Sequence, residues 1–540
     1  MMKASIYKRA FAAAALAVGL ASAPAHAAFI VNENTIEGNW FTEPSAVTVQ
    51  FDYIPTGGVN GVLFLIIYTF DNQGNPLWLS TNFPVVEGQF SFTNRDLFRF
   101  SGGTWNARTA NLATQPRFGT VSLTFNSCTE ASVSVTPAAG SGLNNLADLS
   151  LLRAESAIAG SIPVNCPYRQ PFTACPTGTT AVAGQARTCA LTGTLTQPVR
   201  LTNAATYVLQ GKVQIGGAML ANGTVVTPSS LSIDPGTLIR GATGGLDYLQ
   251  INPGSKIFAE GTPNAPIIMT GPTEESGSWG GLVLAGRAQN NAAAAPGGTA
   301  AFEADPTTLW GGSDDGDSSG VLRFVQIRNA GRVITGNVEL NSLTMGSVGS
   351  GTVIEYVQSH NGLDDCFEFF GGTVNAKYLV CSRGNDDGLD FDVGGYRGRV
   401  QYALITAGGN ADASDGSCVE SDNNAQALNA TPRARPVVAN MTCVGRSTAP
   451  NFRRAIRIRR GSAGEYWNSV VANMPSGDCL TAFDSPTFEQ IAANTLQIRG
   501  SSLLGCANNF AGADATLAAQ VRLGSTLRVA AMPWVPSPAA

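Results

Sequence analysis

The sixteen residues Ile354–Phe369 recur 22 positions later as Ala376–Phe391. Laid over one another, Tyr356 falls on Tyr378, Gly362 on Gly384, Asp364-Asp365 on Asp386-Asp387, and Phe369 on Phe391. A second pair, Leu231-Ser-Ile-Asp-Pro-Gly-Thr-Leu-Ile239 and Leu249-Gln-Ile-Asn-Pro-Gly-Ser-Lys-Ile257, is related by a shift of 18. Strand-like runs continue at Val400–Thr406, Val437–Val444, Trp467–Ala472 and Leu496–Leu504. Short periods built from strands and glycine turns, without helical periodicity, are the mark of a β-solenoid. One coil cannot bury its own apolar face, so stacked coils share a continuous core with strands about 4.8 Å apart. An array of immunoglobulin-like sandwiches would be as rich in strands, yet would not return like residues to one position in successive turns. The chain is therefore expected to be all-β, and the shifts of 18 and 22 are read as coil lengths.

The repeats occupy only part of the 540 residues, a length that suits two to four domains. Lys3, Lys8 and Arg9 precede the apolar run Ala10–Ala23, and Ala25-His26-Ala27 is a small-x-small cleavage site. This is the layout of a secretory signal peptide, and the run is too short for a membrane anchor. Residues 1–27 are expected to be removed, leaving a secreted chain (periplasm, outer surface or extracellular) with no transmembrane segment. The remainder carries 30 basic and 38 acidic side chains, a poor balance for a nucleic-acid binder. It keeps one histidine, His360, which excludes a multi-histidine metal centre. Apolar residues at 44% and charged residues at 13% argue against disorder.

Export also permits disulfides. The ten cysteines stand at 128, 166, 175, 189, 366, 381, 418, 443, 479 and 506, and none forms the CxxC pair of a zinc or redox site. Sequence leaves their connectivity open. Neighbour pairing, Cys366 with Cys381 and Cys418 with Cys443, is preferred because neighbours in a solenoid are close in space.

Residues 28–153 have a different grammar: β-prone runs alternate with turn clusters, as in Val62–Tyr68, Asp71–Pro76 and Leu77-Trp78-Leu79. Gly38-Asn-Trp-Phe41, Tyr68–Trp78 and Val121–Cys128 resemble a small β-domain of many secreted proteobacterial proteins, which implies an N-terminal antiparallel β-domain and no particular reaction. Trp40 and Trp78 suit a core, or a sugar-stacking platform. Residues 154–190 read as a Cys/Pro/Thr-rich linker, 191–511 as the solenoid and 512–540 as a C-terminal tail. Leu231–Gly236, Ser278–Leu284, Ser350–Val357, Phe367–Tyr378 and Ala455–Gly461 carry a further resemblance, to a largely uncharacterised family of secreted bacterial right-handed parallel β-helix proteins. That resemblance implies fold and export but no established activity; fold-level similarity to polysaccharide lyases and hydrolases is an analogy.

Chemistry is concentrated in the 22-residue repeat, which places Asp364 over Asp386, Asp365 over Asp387 and Glu368 over Asp390. Phe367, Phe369, Leu389 and Phe391 alternate with Glu368, Asp390 and Asp392, so the apolar set faces the core and the acids face out. Two carboxylates about 4.8 Å apart repel by about 0.9 kcal/mol in water and roughly 3.5 kcal/mol at an effective dielectric of 20. Such a ladder calls for a bound cation, basic partners or raised pKa values, unless Asp and Gly simply shape solenoid corners. Oxygen donors without His or Cys suit Ca2+, with Asp364, Asp365, Glu368, Asp386, Asp387, Asp390 and Asp392 as the candidate ligands. The acidic turn Ser313–Asp317 lacks a calcium-loop pattern and reads as an exposed loop.

Arg453-Arg-Ala-Ile-Arg-Ile-Arg-Arg460 alternates outward arginine with inward isoleucine. Arg454, Arg457 and Arg459 would grip an acidic ligand, or form an internal ion-pair network with the acids. His360 suits a bridging structural role better than catalysis, because Ser–His–Asp chemistry would need a strained nucleophile turn. Three functions fit. The leading one is a secreted or cell-surface β-helix protein that binds extracellular polysaccharide or matrix and holds a structural divalent cation. The others are a calcium-assisted polysaccharide lyase or glycoside hydrolase, and a structural coat or adhesin.

Overall fold

The computed structural model describes residue 36 and residues 38–153 and 172–511, apart from 43–46, 58–59, 86–88, 100–116, 126–129, 142, 245, 264, 336–337, 408–415 and 447–451. The expected signal peptide, the tail 512–540, Cys128, Cys166 and the first part of the expected linker lie outside the described residues.

Eight antiparallel strands form the N-terminal unit: β1 (Gly38–Phe41), β2 (Thr48–Gly57), β3 (Asn60–Phe70), β4 (Pro76–Val85), β5 (Ser91–Arg99), β6 (Arg117–Phe125), β7 (Glu130–Pro137) and β8 (Leu146–Arg153). Each pairs with the next, and Trp40 and Phe41 of β1 pair with Arg153 and Leu152 of β8, which closes the barrel. Closure removes the exposed edges that an open sheet would present. Alternation sorts the side chains: Leu63, Leu65 and Ile67 point inward, with half-buried residues between them. Asp71 holds the β3–β4 turn by accepting hydrogen bonds from the backbone of Gln73 and Asn75, both at 2.9 Å. Trp40 is fully buried against the edges of Phe51 and Phe125, at 5.6 and 5.7 Å. Trp78 lies at the surface, edge-on to Tyr68.

The second unit is a right-handed parallel β-helix with three sheets, named A, B and C here. In a central coil, Asn375–Gly384 begins in sheet A, bends at Tyr378 and continues in sheet B; Leu389–Phe391 lies in sheet C. The bend residues Phe324, Tyr356, Tyr378 and Tyr402 all have positive φ, between 50° and 60°. Their rings stack in sequence at 4.5, 4.4 and 5.1 Å, within 12° of parallel. The register repeats every 22 residues here: Val357 pairs with Leu379, His360 with Ser382 and Glu368 with Asp390. Gly384, the counterpart of Gly362, is required by packing, because a Cβ there would lie 2.8 Å from the sulfurs of both Cys366 and Cys381.

The 18-residue shift is not a coil. Leu231 pairs with Ile257, 26 residues on, whereas Leu249 pairs with Val213 and Leu282 in sheet C. Both copies are strand–turn–strand corners, one leading from sheet A to B and the other from C to A. An Asx-Pro-Gly turn with apolar flanks suits either corner, so sequence similarity appears between two sides of one coil.

Inside the helix, Phe367, Leu389, Val419, Ile456 and Leu480 form one apolar column across successive strands of sheet C. Disulfides Cys366–Cys381, Cys418–Cys443 and Cys479–Cys506 each join a sheet C strand to the following coil, with Cα–Cα distances of 5.6–5.9 Å. The first two are the pairs that neighbour spacing favours. Cys175–Cys189 closes the start of the solenoid, where Thr180–Ala181 pairs antiparallel with Cys189 and Ala190. Among the described residues no cysteine is free, and no helix is long and apolar enough to cross a membrane.

Residues 286–319 leave the coil after Gly281–Ala285 and fold over the outer side of sheet C. Phe302 and Trp310 from this excursion pack on Phe370, Val283 and Leu340 as a satellite core. Phe369→Ala, which opens a cavity in the main core against Phe391 and Tyr396, is expected to lower stability by about 3–5 kcal/mol. Denaturant unfolding measures this; a loss below about 1 kcal/mol would contradict the packing.

Candidate functional site

Parallel register turns the alternation in sheet C into two outward columns. The first runs Thr344, Glu368, Asp390, Glu420, Arg457 and Thr481 through successive strands. The second carries Asp392, Asp422 and Arg459, each one residue beyond the paired strand positions. The acids do face away from the main core, as alternation requires, but only Asp392 keeps a substantial exposure, at 29% of its side chain. Glu368, Asp390 and Glu420 are 5–8% exposed and Asp422 is fully buried. Sequence periodicity reads the side of a strand and not what later folds over it.

Asp365 and Asp387 have a backbone role. Asn341 accepts from the Asp365 N–H at 3.2 Å, Asp365 accepts from the Asp387 N–H at 2.8 Å, and Asp387 accepts from the Ser417 N–H. These side chains form a ladder of rungs between coils, satisfying amides that the corner leaves unpaired. This is the solenoid-corner role, held by two of the seven candidate ligands.

These two and the other acids crowd together. Single carboxylate oxygens of Asp365, Glu368 and Asp390 lie within 4.8 Å of one another, as do those of Asp387, Asp390 and Glu420, and those of Asp364, Asp365 and Asp386. Asn341 donates to Glu368. Asp390, the residue shared by two of these triads, has one buried oxygen with no hydrogen-bond partner. Burial first, then Glu420, Asp392 and Glu368, pushes the Asp390 carboxyl well above its ordinary value. Burial and Asp392 do the same to Glu368, and burial with Asp386 to Asp387. Asp365 is raised by burial and Asp364, and Asp364 by burial and Asp386. Glu303 and Glu339, on segments that border the column, are raised by burial and then by Asp392 and Glu303 respectively.

Arginine relieves only the far end. Arg457 donates to Glu420 at 2.7 Å, and Arg459 holds Asp422 at 2.9 and 3.0 Å and also reaches Glu420. Arg460 pairs with Asp422 at 2.7 Å and approaches Asp392 at 3.6 Å. Asp422 is pushed up to about 7 by burial and Glu420, with Arg459 and Arg460 pulling the other way. Arg457 and Arg459 therefore face carboxylates of the preceding coil. Arg454 begins the same strand, with its guanidinium 5.9 Å from the Phe483 ring.

Elsewhere, His360 meets the Ser382 hydroxyl of the next coil at 2.9 Å, and burial with Arg383 and Arg328 lowers its pKa. The Ser313–Asp317 turn differs from a free loop: Asp314 and Asp317 hold Arg287, and Asp315 holds Arg397. Glu420 and Asp422 escaped the sequence analysis, although Val419-Glu-Ser-Asp422 echoes Leu389-Asp-Phe-Asp392 at a spacing of 30. The lengthened loop between them hid the echo. Glu303, Glu339 and Asn341 have no repeat signal and reach the site through loops.

Parallel coils, an apolar interior and one chemically loaded outer sheet define the class of right-handed parallel β-helix proteins. A family model described as a pectate-lyase-like β-helix domain matches residues 193–530, and the chain belongs to that family. No match was found among curated proteins or among solved structures.

The site makes stability depend on pH. Carboxyls raised in the folded state bind protons more tightly than in the unfolded chain, so their contribution is full below the unfolded pKa and lost as pH rises through the folded one. For Asp422 that window runs from 3.8 to about 7. Protein stripped of divalent ions is expected to melt higher at about pH 5 than at about pH 8. A melting temperature that climbs across this interval would contradict the buried column.

Proposed function

We propose that the chain is an exported polysaccharide-binding β-helix protein that carries a divalent cation, Ca2+, in the carboxylate column of sheet C. The observation that carries this reading is Asp390, which stands between Glu368 and Glu420, belongs to two oxygen triads and has a buried oxygen without a partner. A buried acceptor without a donor is costly, and the neighbouring Glu368 and Asp390 carboxylates, which meet no arginine among the described residues, add to that cost. Asp365, Glu368, Asp390 and Glu420 supply only hard oxygen donors, the set that Ca2+ prefers. Bound there, the ion would be structural, supplying the counter-charge that the buried carboxylates lack. Family membership supports a polysaccharide as the ligand class, and the four disulfides fit folding in an oxidising compartment. The signal layout of residues 1–27 points the same way.

The enzymatic alternative rests on the raised carboxyls. Asp364, Glu303 and Glu339 border the column with raised pKa values, the property of a general acid in a glycoside hydrolase. A lyase would also use an uncompensated basic group, and Arg457 and Arg459 already face Glu420 and Asp422. For that reason binding is the leading reading. A coat or adhesin would have no use for the buried acids.

EDTA is expected to lower the melting temperature and millimolar calcium to restore it by mass action. Glu368→Gln with Asp390→Asn should remove that response. Indifference of the wild type to both additions would sink the cation. Incubation with polyuronates, followed by ultraviolet absorbance of unsaturated product and by reducing ends, separates binder from enzyme; turnover by either measure overturns the binding reading.

A further inference from the structure

A second charged feature lies on the flank of sheet A, away from the acid column. Thr373, Asn375, Arg397, Arg399, Arg433 and Arg435 line a cleft of about 500 Å3, and Glu465 is the one carboxylate in its wall. The register explains the gathering. Asn375, Arg399, Val437 and Glu465 occupy one outward column of sheet A, because Ala376 pairs with Val400, Arg399 with Val437 and Val437 with Glu465. Arg397 and Arg435 sit two residues earlier in adjacent coils. Both lie just before their strands begin, and both line the same cleft.

The four guanidinium groups are held differently. Arg397 makes a two-pronged contact with Asp315 at 2.8 and 2.9 Å, and Arg435 meets Glu465 at 2.7 Å. Arg433 is braced by neutral acceptors: the carbonyls of Leu428 and Gly461 and the side-chain amide oxygen of Asn429. These bonds fix its position and leave its charge uncancelled. Among the described residues, no carboxylate or carbonyl pairs with the half-buried Arg399 guanidinium. The four cations of the cleft thus face two carboxylates, Glu465 in its wall and Asp315 outside it, in a chain whose acidic residues outnumber its basic ones, 38 to 33. Positive charge concentrated in a concave wall is the arrangement that attracts an anion, and planar guanidinium groups suit carboxylate and sulfate oxygens.

We propose that this cleft binds the carboxylate or sulfate group of an anionic glycan, with Arg399 as the primary contact and Arg433 as a preset second one. A volume of about 500 Å3 accommodates a small-molecule-sized portion of such a polymer. The inference rests on the polysaccharide reading for the polymer and on the cleft alone for its charge. It is independent of the column on sheet C and of Arg454, Arg457 and Arg459.

The test uses the full chain in titration calorimetry against oligogalacturonate, a sulfated dextran and neutral dextran, in calcium-free buffer at low and high salt. Wild type is expected to bind one or both anionic glycans, with affinity that falls as salt rises, and to ignore neutral dextran. The two anionic arms distinguish uronate from sulfate. Arg399→Glu should weaken that binding by about tenfold or more, the worth of a charge-assisted hydrogen bond, with an unchanged melting temperature. Arg399→Gln serves as a second variant that keeps the side chain's length without its charge and should weaken binding in the same direction. Equal binding by both variants and wild type would overturn the proposal. So would the absence of anionic-glycan binding, or equal affinity for neutral dextran. Loss of the calcium response in a protein whose glycan binding still depends on Arg399 would remove the cation reading and leave this one standing.

Discussion

Parallel stacking in register is the constraint on which everything else depends. Once Val357 pairs with Leu379 and Glu368 with Asp390, each side chain's vertical neighbours are set by coil length alone. Repetition then multiplies every choice. An apolar residue gains an apolar neighbour above and below, as in the column from Phe367 to Leu480. A cysteine finds its partner one coil away, and an aromatic bend residue extends a stack of rings. The same rule multiplies cost when the repeated residue is charged.

The carboxylates of sheet C show three ways in which that cost is met, and a fourth is proposed. Asp365 and Asp387 spend oxygen acceptors on backbone amides of the next coil. Glu420 and Asp422 meet Arg457, Arg459 and Arg460 where the column changes sign. Burial and neighbouring charge shift Glu368 and Asp390 toward their protonated forms. A cation is the fourth, and it is the one proposed for the stretch between Glu368 and Glu420, where no arginine reaches. These remedies follow position along the solenoid: neutral Thr344 stands at one end, arginine at the other, and the unrelieved acids lie between.

Loops give individual coils their chemistry. The excursion 286–319 converts an outward sheet face into a buried one by laying Phe302 and Trp310 on Phe370. It also sends Asp315 to Arg397, so one segment both covers the acids and braces one wall of the arginine cleft. A solenoid offers a regular surface, and its excursions decide which part of that surface meets water.

Much of this was legible in the sequence. The 22-residue repeat determined the solenoid, the central coil length, the inward aromatic residues and the stacking of acid on acid, because strand alternation and coil repetition are local patterns with fixed periods. Cysteine spacing favoured two of the disulfides for the same reason. The 18-residue similarity misled because an Asx-Pro-Gly corner has the same local chemistry wherever it turns the chain. Tertiary structure alone decided that the outward acids Glu368 and Asp390 are buried, that Arg457 and Arg459 face Glu420 and Asp422, and that Arg397, Arg399, Arg433 and Arg435 share a cleft. Those outcomes depend on loops of unequal length, which break the period in the sequence while the strands keep it in space.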